Sequence, residues 1–97
     1  MATYIWIGNF TEQGMRTIKD STKRADAVKE AAKKFGVTLK DIRWTLGQYD
    51  IVVTFEAPDD ASITALGLTV AMAGNVSGQT LRAFDREEMG AILGKVG

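Results

Sequence analysis

An α+β domain of the split βαβ kind is what the sequence predicts, and three observations predict it. Apolar residues alternate at period two in short stretches, they recur at steps of three and four in the segments between, and the resulting order is strand, helix, strand, strand, helix, strand with one more helix at the end. The 97 residues suit a single domain spanning 1–97, because a globule of this size buries roughly two-thirds of its unfolded surface around one core.

Tyr4, Ile5, Trp6 and Ile7, followed by Gly8 and Asn9, form an aromatic and β-branched run that reads as a first strand covered on both faces. Phe10-Thr11-Glu12-Gln13-Gly14 opens a helical turn with Thr11 as its cap, and Asp20-Ser21 starts the next helix. From Thr22 to Phe35 the residues Ala25, Val28, Ala32 and Phe35 share one face, and lysines with Asp26 and Glu30 take the other. This predicts an amphipathic helix lying on a sheet and ended by Gly36.

Ile42, Trp44 and Leu46 alternate with Arg43 and Thr45, and Ile51, Val53 and Phe55 alternate with Val52, Thr54 and Glu56. With Gly47-Gln48-Tyr49-Asp50 between them, the two stretches form a hairpin. Pro58-Asp59-Asp60 stops the second strand and starts a helix, since a carboxylate there accepts the free amide hydrogens of the first turn. The helical part, Ala61–Ala73, carries no charge and has apolar residues on more than one face: Ile63, Leu66 and Val70, but also Leu68 and Met72. Gly74-Asn75 closes it. Leu81, Ala83 and Phe84 around Arg82 give the last strand, Asp85 to Glu88 has capping-box spacing, and Met89, Ile92 and Val96 form the stripe of a terminal helix. Right-handed crossovers place both long helices on one face of a four-stranded antiparallel sheet, which is the ferredoxin-like βαββαβ sandwich.

Composition narrows the chemistry. Lys+Arg 12 balances Asp+Glu 12, so no long-range field favours a nucleic-acid or acidic membrane partner. Residues 1–43 hold nine basic and five acidic side chains and residues 44–97 three and seven, a difference that reads as complementary packing within one domain. There is no cysteine and no histidine, which removes disulfides, thiolate nucleophiles, and the commonest metal ligand and general base. No cofactor or metal is expected. The start, Met1-Ala2-Thr3-Tyr4-Ile5, lacks a basic and apolar leader pattern, and no stretch approaches a membrane span, so a cytoplasmic location is expected.

Several segments read together resemble the GYD domain family: Met1-Ala2-Thr3-Tyr4, Phe10 to Gly14, Lys19-Asp20-Ser21 with Lys23-Arg24-Ala25, and above all Trp44-Thr45-Leu46-Gly47-Gln48-Tyr49-Asp50. The likeness continues through Glu56 to Asp60, Gly74-Asn75-Val76 and Thr80 to Phe84, so it covers nearly the whole chain. Thr22 departs from the proline that such sequences often have after the serine; Ser21 is expected to cap all the same. The resemblance implies a relative of the dimeric α/β-barrel proteins. It assigns no reaction.

Strand alternation sorts the sheet into two expected faces. Ile5, Ile7, Ile42, Trp44, Leu46, Ile51, Val53, Phe55, Leu81 and Ala83 are expected under the helices, and Tyr4, Trp6, Arg43, Thr45, Val52, Thr54, Glu56, Thr80, Arg82 and Phe84 on the other side. On that mixed face Tyr4, Trp6, Arg43, Glu56 and Arg82 are candidates to hold a small anionic or aromatic ligand, with arginines for a carboxylate and rings for stacking. The same composition suits a dimer seam. Tyr49 and Asp50 are further candidates, read first as a turn aspartate and a tyrosine covering a sheet edge.

Three functions follow as alternatives: a homo-oligomeric small-molecule-binding or regulatory module, a cofactor-independent oxygenase or isomerase of the dimeric α/β-barrel type using Trp6, Tyr49, Arg43 and Arg82, or a purely structural oligomer subunit. In each the partner is a second copy of the chain. A sheet with one bare apolar face predicts a homodimer or an assembly of dimers.

Overall fold

Strand β1 (Ala2–Phe10) runs through the middle of the sheet in a computed structural model that describes residues 1–97. A short helix α1 (Glu12–Arg16), a 3-10 turn (Ile18–Asp20), α2 (Ser21–Lys34), β2 (Thr38–Trp44), β3 (Ile51–Ala57), α3 (Asp60–Met72), β4 (Val76–Ala83) and α4 (Arg86–Leu93) follow. The strands lie in the order β2-β3-β1-β4 with every neighbour antiparallel. The result is an open four-stranded sheet with α2 and α3 on one face, an α+β architecture consistent with the ferredoxin-like fold. No helix is long and apolar enough to cross a membrane.

The helix starts form for the reasons the sequence gives. Asp59 accepts the Ser62 amide hydrogen at 2.8 Å, and Asp85 accepts that of Glu88 at 2.7 Å while the Glu88 carboxylate accepts the Asp85 N–H at 3.2 Å, a complete capping box. Thr11 caps α1 by accepting the Gly14 N–H at 3.1 Å, and its own hydroxyl donates to the Gly74 carbonyl at 2.6 Å. That second bond ties α1 to the turn between α3 and β4. Ser21 differs from expectation: it lies inside α2 and donates its hydroxyl to the Ile18 carbonyl at 2.6 Å, closing the 3-10 turn instead of capping the helix.

Two strands differ in extent. β2 runs from Thr38 and stops at Trp44, which leaves Leu46 in the connection and fully exposed. β4 starts at Val76 although Ser77 and Gly78 are poor strand formers, because β1 supplies a pairing partner along its whole length, out to Phe10 opposite Val76.

The larger correction concerns which way β1 and β4 face. Tyr4 pairs with Phe55, Trp6 with Val53 and Gly8 with Ile51, so Tyr4 and Trp6 lie under the helices and Ile5 and Ile7 turn to the open face beside Thr54 and Val52. On β4, Thr80 and Arg82 follow Trp6 and Tyr4, and Leu81 follows Ile5 to the open face. A one-residue change of parity moves every side chain of a strand to the other side. Two contacts decide the parity. The Tyr4 hydroxyl donates to Asp60 at the start of α3. The Trp6 indole lies across Gly8 and Gly78, which face each other in the ladder: a methyl group on Gly8 would stand 2.4 Å from its Cη2, and one on Gly78 2.5 Å from its Cζ2.

α4 leaves this body. The Cα radius of gyration is 14.6 Å against about 12.5 Å for a compact chain of this length, and the longest extent is 51 Å. Met89, Leu93 and Val96 are 44%, 54% and 69% exposed, so the terminal helix does not fold back over its own sheet.

Gly78→Ala is expected to destabilise the fold by about 1–3 kcal/mol, because the new methyl meets both the indole and the Ile7 carbonyl. Urea unfolding measures it. A change below about 0.5 kcal/mol would place Trp6 elsewhere.

Candidate functional site

Small residues on the inner faces of the helices leave the sheet incompletely covered. Ala25 and Ala27 on α2 and Gly67 on α3 stand where larger side chains would fill the space, and Ala73 follows α3. What remains is an apolar cleft of about 220 Å³. Its floor is the helix-side face of the sheet: Trp6 and Phe10 from β1, Leu39, Ile42 and Trp44 from β2, Ile51, Val53 and Phe55 from β3. Val28, Ile63, Leu66, Val70 and Val76 complete the apolar wall, and Ser21, Arg24, Asn75 and Thr80 are its polar members. Arg24 is the one ionisable side chain among them.

Of the seven residues singled out in the sequence, only Trp6 lines this cleft. Arg43 and Glu56 point from the open face, where Arg43 pairs with Asp41 at 3.0 Å and Glu56 with Lys40 at 3.6 Å. Tyr4 and Arg82 meet at the far end of the sheet. The Arg82 guanidinium lies 5.6 Å from the Tyr4 ring centroid and 4.6 Å from that of Phe84, donates to the Thr3 and Ala83 carbonyls, and pairs with Glu88 at 3.0 Å. Trp6, Arg43 and Arg82 therefore do not converge, and Arg82 fastens the base of α4 to β1 and β4.

The acidities of Tyr4 and Glu88 are shifted at that end of the sheet. The phenol of Tyr4 is pushed above its ordinary 10.0, first by the hydrogen bond it donates to Asp60 and then by burial. Glu88 is held below the usual carboxylate range, first by the Asp85 amide hydrogen and then by Arg82.

Asp50 extends the sheet beyond its ladder. Its carboxylate accepts the Phe10 N–H at 3.0 Å, and its own N–H is shared between the Gly8 carbonyl at 2.9 Å and Asn9 Oδ1 at 3.0 Å. The connection that delivers it turns at Gly47, where φ is +124°, a conformation that side chains resist. Thr45 closes the loop by donating its hydroxyl to the Tyr49 carbonyl at 2.5 Å. Gly47, Tyr49 and Asp50 thus form a turn that fixes the end of β1, and the Phe10 ring that β1 carries there lines the cleft.

The family model of the GYD domain matches residues 4–93, from the first strand to the end of the last helix. The chain belongs to the GYD domain family. No curated protein matches it. In this GYD domain Gly47, Tyr49 and Asp50 form the turn that fixes the end of β1 beside the cleft.

Arg24 escapes a reading based on strand alternation because it sits on a helix among lysines. A signal was present: Ser21, Arg24 and Val28 are spaced by three and four, which places all three on one side of α2.

Asp50→Ala is expected to cost about 1–3 kcal/mol in urea unfolding, since it leaves the Phe10 N–H without its charged acceptor; Asp50→Asn keeps an acceptor and loses less. The Tyr4 shift acts in alkali. A phenol whose pKa is raised on folding contributes stability below pH 10 and loses it as pH rises through the folded pKa. Wild type is therefore expected to lose stability above pH 10 relative to Tyr4→Phe, and parallel pH profiles would show that the Tyr4–Asp60 bond does not hold the proton.

Proposed function

We propose that this GYD domain is a homo-oligomeric module that binds a small, largely apolar molecule in the cleft between α2, α3 and the sheet. The observation that carries the reading is the cleft itself: about 220 Å³ of apolar space opening between packed elements, with four aromatic rings and a few polar groups around it. Binding sites of small molecules have this composition. The oxygenase or isomerase reading draws less support, because the lining holds no carboxylate, and of its four candidates, Trp6, Tyr49, Arg43 and Arg82, only Trp6 is there.

The oligomeric half of the proposal rests on the open face. Ile5 lies opposite Leu81 and Ile7 opposite Val52, an apolar centre flanked on the β2 side by Lys40, Asp41, Arg43 and Glu56, two charges of each sign. A face of balanced charge around an apolar centre suits a twofold contact with its own copy. The exposed stripe of α4 adds apolar surface that its own chain leaves uncovered. A cytoplasmic location belongs to the same reading, and a chain without cysteine suits a reducing compartment.

A neutral probe, 2-naphthylmethanol, is expected to raise the melting temperature of the wild type by mass action and to leave Gly67→Phe, whose ring occupies the cleft, unmoved. An equal rise in both proteins would put the probe elsewhere. In light scattering at micromolar concentration the wild type is expected at twice the chain mass of 10.5 kDa or a multiple of it, and Ile7→Arg at 10.5 kDa. A wild-type protein at 10.5 kDa would sink the dimer.

A further inference from the structure

One charged residue in the lining of the cleft has no counter-charge. The five ion pairs of the protein are formed by Arg16, Lys33, Lys40, Arg43 and Arg82, and Arg24 takes part in none. It is nonetheless held in place. One terminal nitrogen donates to the Thr17 carbonyl at 2.9 Å and to Thr17 Oγ1 at 2.8 Å, and the other to the Gly14 carbonyl at 3.2 Å and to Ser21 Oγ at 3.5 Å. All four acceptors are neutral, so they orient the guanidinium without cancelling its charge. The side chain is half-buried, lies 6.0 Å from the centroid of Phe10, and lines the apolar cleft.

We propose that the cleft takes a flat aromatic carboxylate, with the anionic end beside Arg24 and the ring against Trp6. This rests on the cleft being the binding site. A fixed cation at the edge of an apolar, poorly solvated space attracts an anion more strongly than one in open water. Hydrogen bonds to charged groups are also stronger than neutral ones, and the Arg24 Nε–H has no acceptor within the chain. The ring is specified by the floor. Trp6 lies flat over Gly8 and Gly78, and Phe10, Trp44 and Phe55 stand around it, surfaces that suit a rigid planar ligand better than a flexible chain.

Calorimetric titration with 2-naphthoate, its neutral counterpart 2-naphthylmethanol, and octanoate tests the proposal. The wild type is expected to bind 2-naphthoate about ten- to a hundredfold more tightly than the alcohol, and more tightly than octanoate. R24Q is expected to remove the acid's advantage over the alcohol; R24K, which keeps the charge, retains a preference for the acid. Equal affinity of wild type for acid and alcohol, or an acid preference unchanged in R24Q, would overturn the role of Arg24. Octanoate binding more tightly than 2-naphthoate would overturn the aromatic class. Should R24Q lose its folded circular-dichroism spectrum, R24K decides: acid preference kept supports the proposal, and acid preference lost overturns it. Failure of both naphthyl probes to bind the wild type is a different result, since it removes the cleft as a site.

Discussion

The Trp6 indole lying across the paired Gly8 and Gly78 is the contact on which the rest of the sheet depends. It accounts for three things at once. Glycine at both positions leaves a trough that only a flat group from the same face can fill, so the parity of β1 is fixed, and with it the side taken by Tyr4, Ile5 and Ile7. Because β1 is central, its parity is passed to β3 and β4 through the ladders. The indole then forms the floor of the cleft, and the displaced isoleucines make the apolar centre of the open face.

Polar groups are matched differently at the two ends of the molecule. Near Tyr4, polar groups are matched: the phenol with Asp60, Arg82 with Glu88 and two carbonyls, and the capping box of α4 beside them. Near Phe10, Asp50 and Thr11 fasten β1 to its neighbours, and the Arg24 charge next to that scaffold has no partner. Matched groups hold a fold together. In the proposed complex the unmatched Arg24 charge, held beside apolar walls, recognises an anion.

The elements were legible in the sequence because each carried a local physical signal: alternation for β3, the Asp59 cap for α3, the Asp85–Glu88 box for α4, and the GYD turn before β3. The faces of β1 were not legible. Tyr4-Ile5-Trp6-Ile7 is apolar at every position and has no polar residue to mark the outside, so its orientation was decided by partners distant in the chain, Asp60 and Gly78. The candidate site inherited that ambiguity. Trp6 lies on the side opposite to expectation, Arg43 stands across the sheet from it and Arg82 at the sheet's far end, and Arg24 gives no alternation signal as one cation in a basic helix.

The central claim is that this GYD domain binds its ligand on the helix side of the sheet and associates through the other. Methyl NMR of the wild type during titration with 2-naphthoate separates the two faces directly, because both carry branched aliphatic residues. The account predicts that the signals of Ile63, Leu66 and Val70 move with the probe and those of Ile5, Ile7 and Val52 stay in place; movement confined to Ile5, Ile7 and Val52 would contradict it.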